Sequence, residues 1–311
     1  MKLAIVILNW NGAGDTLACL ESVARARGEG VEAIVVDNGS ADADVARVAE
    51  AVAARRWAEL VRNAENLGFA GGCNVGIARA LERGADYVML LNNDATVEPG
   101  AFEALVTRLE ANPRVGLVSP LILDAAGERI WAAGGVRASR EVVCALGLTG
   151  RPAVEAPVAP FEAYALIGCA VVLRREVLER VGAFDDAYFA YVEDIDLSRR
   201  ARAAGWALEV VPTARVRHRV SAASGGGYTP LRSYLLGRGT AIFVRRRADL
   251  GQRIGFALAA PLGLLAAAVR ETVSGGNPAA VAAKLRGYLD GLRGRPVDRR
   301  YFETRDLTAA R

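Results

Sequence analysis

Lysine is nearly missing from this 311-residue chain: Lys2 and Lys284 stand among 39 basic residues. Arginine supplies the rest, which reads as a coding bias rather than a nucleic-acid-binding surface. His218 is the one histidine, so a Ser-His-Asp or Cys-His system must use it or not exist. No GxSxG elbow accompanies it, and acyl transfer is disfavoured. Cys19, Cys73, Cys144 and Cys169 lie far apart with no CxxC pair. That spacing disfavours a zinc ribbon, a redox motif and a disulfide framework, and it points to a reducing compartment. The first polar cluster, Asn9-Trp10-Asn11-Gly12-Ala13-Gly14, does not fit GxGxxG, and no GxxxxGK run followed by Ser or Thr occurs. Dinucleotide oxidoreductases and P-loop enzymes are therefore disfavoured. The first residues also lack the pattern of a secretory signal peptide.

The chain has ample apolar matter, 52% hydrophobic against 24% charged residues. That balance suits one large domain with an appendage, or two smaller ones. Charge is unevenly spread. Met1 to Gly227 holds 24 Lys+Arg and 29 Asp+Glu, a net of −5, whereas Tyr228 to Arg311 holds 15 and 6, a net of +9. The expected division is a catalytic domain over 1–227 and a basic helical extension over 228–311, with the flexible stretch 221–228 at the boundary.

Compact apolar runs predict strands over 3–8, 33–36, 58–61 and 87–91. Helical spacing predicts helices over 15–26, from a cap at Asp42 or Asp44 to about 54, and over 71–83. Such close alternation implies βαβ units, so about the first 115 residues form a mostly parallel sheet. Ligands then sit beyond the carboxyl ends of the strands, where the polar clusters after strands one, two and four fall. Further strands are expected over 115–123, 164–173 and 207–211. Further helices are expected over 176–181, 193–204, 231–247, 253–273 and 278–292, with a hairpin and irregular loops over 125–160. Residues 254–269 are free of charge, about 24 Å of helix against a hydrocarbon core of ~30 Å. This segment reads either as an interfacial helix, with Arg245-Arg246-Arg247 for anionic headgroups, or as a helix packed on the catalytic domain.

Several side chains are suited to chemistry. Asp37, at the end of strand two, can accept hydrogen bonds from a ribose or base, though Asp-Asn-Gly-Ser is also good turn composition. Asp94 closes a strongly apolar strand beside Asn92 and Asn93, where an oxygen ligand for Mg2+ or Mn2+ is as natural as an Asx turn. Glu193, Asp194 and Asp196 crowd a helix start. The helix dipole favours acids there, while their mutual repulsion raises one toward a general base. Spacing does not decide which of them faces a site. The Gly-rich stretch 66–74 opens a helix, and its backbone N–H groups can approach an anionic ligand.

Taken in order, Asp37-Asn-Gly-Ser, Asn66-Leu-Gly-Phe-Ala-Gly-Gly-Cys-Asn74, Leu91-Asn-Asn-Asp94, Gly168-Cys-Ala, Gly182-Ala-Phe-Asp185, Glu193-Asp-Ile-Asp-Leu197 and His218 resemble the family-2 inverting glycosyltransferases, and within them the bacterial rhamnosyltransferase-like group. The similarity runs from Leu3 to Ser224. It implies an α/β GT-A (Rossmann-like) fold, a mostly parallel sheet flanked by helices, that transfers a sugar from a nucleotide-diphosphate donor. By that resemblance Asp37 holds the nucleoside and Asn66 lies near the base, with Asn9, Asn38, Gly71, Asn74, Asn93 and Glu193 completing the nucleotide-sugar site. Asp94 is the acid of the metal motif, His218 a further metal or diphosphate ligand, and Asp194 the catalytic base. Asn92 stands where the full motif has Asp. The cofactor implied is Mg2+ or Mn2+, and the leading donor is dTDP-rhamnose. The acceptor is a glycan or polyprenyl-linked glycan, reached from the cytoplasm at an anionic inner membrane face, with no nucleic acid involved. Residues 221–227 are expected to act as a lid that excludes water. Competing readings are a sugar-1-phosphate nucleotidyltransferase and a non-catalytic nucleotide-sugar-binding or membrane scaffold protein.

Overall fold

A computed structural model describes residues 1–136, 145–219 and 229–303. The expected lid and Cys144 lie outside the described residues. The chain divides into two compact units, the first taking residues 1–136, 145–185 and 194–219 of these, the second 186–193 and 229–303.

In the first unit β1 (Leu3–Asn9), β2 (Val31–Asn38), β3 (Ala58–Asn63) and β4 (Tyr87–Asn92) alternate with α1 (Ala13–Ala26), α2 (Asp42–Ala53) and α3 (Gly68–Glu82). Then follow β5 (Ala95–Val97), α4 (Ala101–Ala111), β6 (Val115–Leu123), β7 (Ile130–Ala132), β8 (Gly135–Val136), β9 (Ala145–Leu146) and β10 (Phe161–Glu162). The unit closes with β11 (Ala170–Arg174), α5 (Arg175–Val181), α6 (Glu193–Ala203, its first residue from the second unit) and β12 (Ala207–His218). One sheet runs β10-β12-β6-β11-β4-β1-β2-β3, with β5 added on β12 and β7 on β6; β8 and β9 pair antiparallel by themselves. The segment β4-β1-β2-β3 is parallel throughout. β11 enters antiparallel between β4 and β6, and β6 runs parallel to β12. The fold is thus the expected α/β sheet flanked by helices.

Period-two alternation along the strands explains the layers. Leu3, Ile5 and Ile7 of β1 join Leu20, Val48 and Leu105 on one face, from α1, α2 and α4. Ala4 and Val6 join Ile77, Val177 and Leu197 on the other, from α3, α5 and α6. Burial on both faces is why these strands read as unbroken apolar runs.

Three expectations need correction. Neither Asp42 nor Asp44 caps α2: the cap position is Ala41, without a side-chain bond, and both acids sit in the first turn. The strand expected over 164–173 narrows to β11, because residues 164–169 form a bend, an isolated bridge from Ala165 to Gly135, and a turn. The strand expected to stop at Val211 runs on to His218, past Pro212, by a register shift between Val211 and Arg215. A bulge tolerates the missing proline N–H, whereas a regular central ladder does not. Helix α4 lay beyond the expectations.

In the second unit, α7 (Pro230–Arg247), α8 (Leu250–Val273), α9 (Pro278–Arg293) and α10 (Arg300–Glu303) follow in order. Glycines let α7 and α9 touch backbone to backbone. A Cβ at Gly287 would stand 2.2 Å from the Tyr234 carbonyl oxygen, and one at Gly291 would stand 2.4 Å from that of Arg238. The buried Arg238 guanidinium donates to the carbonyls of Ala187 (2.6 Å) and Arg295 (2.8 Å). It thereby ties residues 186–193 to α7, a segment in which Phe189, Tyr191 and Val192 all adopt positive φ.

Close approach also sets α3 on the sheet. A Cβ at Gly76 would meet Val6 Cγ1 at 2.3 Å, and one at Gly72 would meet Leu8 Cδ1 at 2.4 Å. Alanine gains ~1 kcal/mol of helix propensity over glycine, but overpacking a core costs about 1–3 kcal/mol. Gly76→Ala is therefore expected to lower stability, while Gly14→Ala, where no atom lies within 4 Å on α1, is expected to raise it. Urea unfolding midpoints of the two variants check the opposite signs.

Candidate active site

All four parallel strands end in asparagine: Asn9, Asn38, Asn63 and Asn92. Asn9 lies opposite Asp37 in the ladder. Its Nδ2 donates to Asp37 Oδ1 (2.9 Å), Asp44 Oδ2 (2.8 Å) and Ser40 Oγ (3.1 Å), and its Oδ1 accepts from Thr16 Oγ1 (2.7 Å). Asn93 Nδ2 continues the chain to Thr16 Oγ1 at 3.1 Å, and Asp44 Oδ1 accepts the Ala13 N–H at 2.8 Å. One buried carboxamide therefore joins the ends of β1 and β2 to the starts of α1 and α2. Asp37 is only 1% exposed, so its carboxylate faces this network rather than solvent.

Asn38 does the same work one strand over. Its Oδ1 accepts from Asn63 Nδ2 (3.0 Å) and the Leu67 N–H (3.1 Å), and its Nδ2 donates to Asn66 Oδ1 and the Gly68 carbonyl, both 3.0 Å. Gly71 is buried in the first turn of α3. Asn74 exchanges two hydrogen bonds with the Phe184 backbone, 2.9 and 3.0 Å. Its amide thus holds the Gly182-Ala-Phe184 turn, a positioning task that the motif alone did not reveal.

β5 and β12 pair with His218 opposite Ala95, which sets Asp94 against the end of β12. His218 Nε2 lies 3.1 Å from Asp94 Oδ1, with the two side chains 6% and 8% exposed. The Arg219 N–H donates to the Asp94 carbonyl at 3.1 Å, and the Arg219 side chain pairs with Asp15. The Trp131 ring stands edge-on to His218 at 4.5 Å. Two buried atoms here have no hydrogen-bond partner, His218 Nδ1 and Asn92 Oδ1. Trp131 and Arg219 escaped sequence reasoning: tryptophan on a short strand carries no signal, and an arginine among many is not distinctive.

The three carboxylates of α6 separate by environment. Glu193 is buried as its first residue, and it belongs with the second unit. Asp196 is buried and paired with Arg200 at 2.7 Å; that arginine in turn donates to the carbonyls of Val181 and Ala183. Asp194 keeps an exposed part. Its Oδ2 accepts the Gly168 N–H (3.0 Å) and its Oδ1 the Ile195 N–H (2.8 Å). Burial raises its affinity for a proton above the ordinary aspartate value, against the opposing pull of those N–H groups.

Asp94 and Asp194 converge on one residue. The Cys169 carbonyl accepts the Asn92 N–H at 2.8 Å, Gly168 beside it bonds Asp194, and both negative charges push the Cys169 thiol up after burial has done so. Cys19 is raised by burial and by Asp94 as well. Both cysteines stay protonated and unsuited to nucleophilic chemistry. The strand tip and the helix start, far apart in sequence, therefore meet at the carboxyl edge of β4.

Asn9 makes a direct stability test. Asn9→Leu preserves shape but deprives Asp37 and Asp44 of their shared donor. A loss of about 2–3 kcal/mol is expected, seen as a lower urea midpoint with an unchanged m value.

A sequence model described as glycosyl transferase family 2 matches residues 4–182. The chain is 28% identical over 250 residues to an N-acetylglucosaminyl-diphospho-decaprenol L-rhamnosyltransferase of Mycobacterium tuberculosis, covering 72% of this chain and 78% of that one. It is 25% identical over 210 residues to a low-salt glycan biosynthesis hexosyltransferase of Haloferax volcanii, covering 64% and 61%. Among solved structures, the mannosyltransferase PcManGT of Pyrobaculum calidifontis, in complex with GDP-Man and Mn2+, superposes with a TM-score of 0.60 at 16% identity, covering 94% of this chain and 87% of that one. GalNAc-T7 with UDP, GalNAc and Mn2+ gives 0.66 at 16% identity, and this chain spans 57% of its length. At such identities the structures establish the fold, and the matched sequence establishes the kinship: the chain belongs to glycosyl transferase family 2 and is a glycosyltransferase with a GT-A fold.

Proposed function

We propose that this glycosyltransferase moves a sugar, with rhamnose as the first candidate, from a nucleoside-diphosphate donor to a glycan or polyprenyl-linked acceptor, inverting the anomeric centre in a single displacement. The hydrogen bonds that tie the end of β4 to Cys169 and Asp194 to the adjacent Gly168 carry this reading, because they bring the strand tip that bears Asp94 and the start of α6 to one place. The rhamnosyltransferase kinship supports the sugar and the lipid-linked acceptor, and dTDP-rhamnose is the donor to try first. A nucleotide donor suits reaction in the cytoplasm.

Asp194 serves as the base. Each of its oxygens already accepts one backbone N–H, which fixes the carboxylate and leaves a lone pair for the acceptor hydroxyl. As the hydroxyl oxygen attacks the anomeric carbon, its proton passes to Asp194, and the bond to the diphosphate breaks with its electron pair leaving on the diphosphate. Asp94 and His218 are the residues that would hold a divalent cation. Among the described residues no group of three or more His, Cys, Asp or Glu is assembled for a metal, so the donor set is one carboxylate, one imidazole and the partnerless Asn92 Oδ1. That set fits Mg2+ or Mn2+, which take one or two carboxylates and complete their shell with substrate phosphate and water. When bound, such an ion neutralises the charge that develops on the diphosphate. Asp37, Asn9 and Asn38 act from beneath the surface, holding the Ser40 turn and the start of α3 where the nucleoside is to lie, with Asn66 and Asn93 at the rim.

Asp194→Asn is expected to cut transfer by about 10²–10⁴-fold while leaving donor binding, read by titration calorimetry with dTDP-rhamnose and Mn2+, nearly intact. Wild-type transfer in that variant would remove Asp194 from the mechanism. Release of pyrophosphate from a nucleoside triphosphate would instead favour a nucleotidyltransferase.

The raised proton affinity of Asp194 sets the sign of the pH effect. The base must be ionised, so the transfer rate should fall as pH drops through a value above the ~3.9 of a free aspartate. A kcat profile whose acid limb lies at or below that value would contradict the assignment.

A further inference from the structure

Helix α8 is the least explained element of the second unit. Among the described residues it is the one helix long and apolar enough to cross a membrane. Leu250, Ile254, Leu258, Leu262, Leu265 and Val269 are all exposed, Leu258 and Leu262 by 67% and 68%. At 100° per residue these six fall within a sector of about 120°, so they form one continuous stripe. Water is a poor solvent for such a surface, and an apolar patch of this kind marks a site of docking.

Charge decides among the occupants. Residues 229–303 carry 13 Lys+Arg against 5 Asp+Glu, a net of +8. Arg245 and Arg246 are exposed just before α8, Arg253 in its first turn and Arg270 in its last. A second copy of this segment would bring +8 against +8, whereas an anionic lipid surface complements both the stripe and its flanks. Packing decides the orientation. The Phe256 ring meets Tyr288 of α9 edge-on at 5.2 Å, so α9 lies alongside α8. Lys284, Arg286 and Asp290 all fall within about one turn of Tyr288 on α9. A spanning α8 would draw these charged groups toward hydrocarbon, which disfavours them.

We infer that α8 lies in the plane of an anionic membrane, its leucine stripe sunk into the headgroup–acyl boundary and Arg245, Arg246 and Arg253 on the lipid phosphates. This inference does not rest on the proposed reaction, because its test reads lipid binding and not transfer.

Flotation of the full chain with phosphatidylcholine vesicles, with and without phosphatidylglycerol, tests it. The chain should float with the anionic vesicles, lose binding in high salt, and be stripped from them by alkaline carbonate. Leu258→Ser with Leu262→Ser should weaken vesicle binding by at least about tenfold. Arg245→Gln with Arg246→Gln should weaken only the phosphatidylglycerol-dependent part, by about fivefold per charge. Thermal midpoints by circular dichroism should match wild type in both, because all four side chains are exposed. Absence of wild-type flotation overturns the inference, as does resistance to carbonate, which means a span. A lipid-independent dimer broken by the serine variants, without vesicle binding, gives the stripe to a second copy and overturns it too.

Discussion

A single buried carboxamide carries the architecture of the site. Asn9 donates to the carboxylates of Asp37 and Asp44, two like charges that would repel without a donor between them. The amide converts that repulsion into a junction, at a place where parallel strands end and leave backbone and side-chain polar groups to be satisfied. The four terminal asparagines share this logic. An amide both donates and accepts, so it can bridge partners of either kind. The edge that faces a ligand is thereby fixed before any ligand arrives, and a preformed polar edge is what charge-developing chemistry requires.

On that edge the antiparallel strands bring distant sequence together. β11 inserts against β4 with Ala170 opposite Leu91, which puts Gly168 and Cys169 beside Asn92. Gly168 in turn offers its N–H to Asp194. β12 lies beyond β6 on that same side, and its pairing with β5 delivers His218 to Asp94. A purely parallel sheet would present its own loops alone. The two reversed pairings let residues more than 70 positions down the chain complete the edge begun by β1 to β4.

Much of this was legible in the sequence, for physical reasons that also mark where reading fails. Strands buried on both faces announce themselves as apolar runs, and β1, β4 and β6 were readable nearly to the residue. Beyond Val211 the strand is not legible, because a proline normally ends a central strand, and only the three-dimensional register shift near Arg215 shows how Pro212 is tolerated. Helix α4 carries Phe102, Leu105, Val106 and Leu109 at helical spacing, so its signal was present after the Glu98-Pro99-Gly100 turn and went unread. The site divides likewise. Which residues are polar is visible in sequence, but not what each one touches: Asp37 bonds Asn9, and Asn74 bonds the Phe184 backbone.

The acidic run on α6 shows why burial, and not spacing, settles such cases. Three carboxylates within four residues cannot all remain charged in one environment at no cost. Asp196 resolves the conflict with Arg200, whose guanidinium also collects the carbonyls that end α5, so its charge is matched and its task is structural. Asp194 has no cation among its hydrogen-bond donors, only backbone N–H groups that stabilise the anion less than desolvation opposes it. A half-buried carboxylate that is held by backbone dipoles and meets no guanidinium is one whose proton affinity burial can raise. Two aspartates two positions apart are thus set in different surroundings, one against a guanidinium and the other against backbone N–H groups.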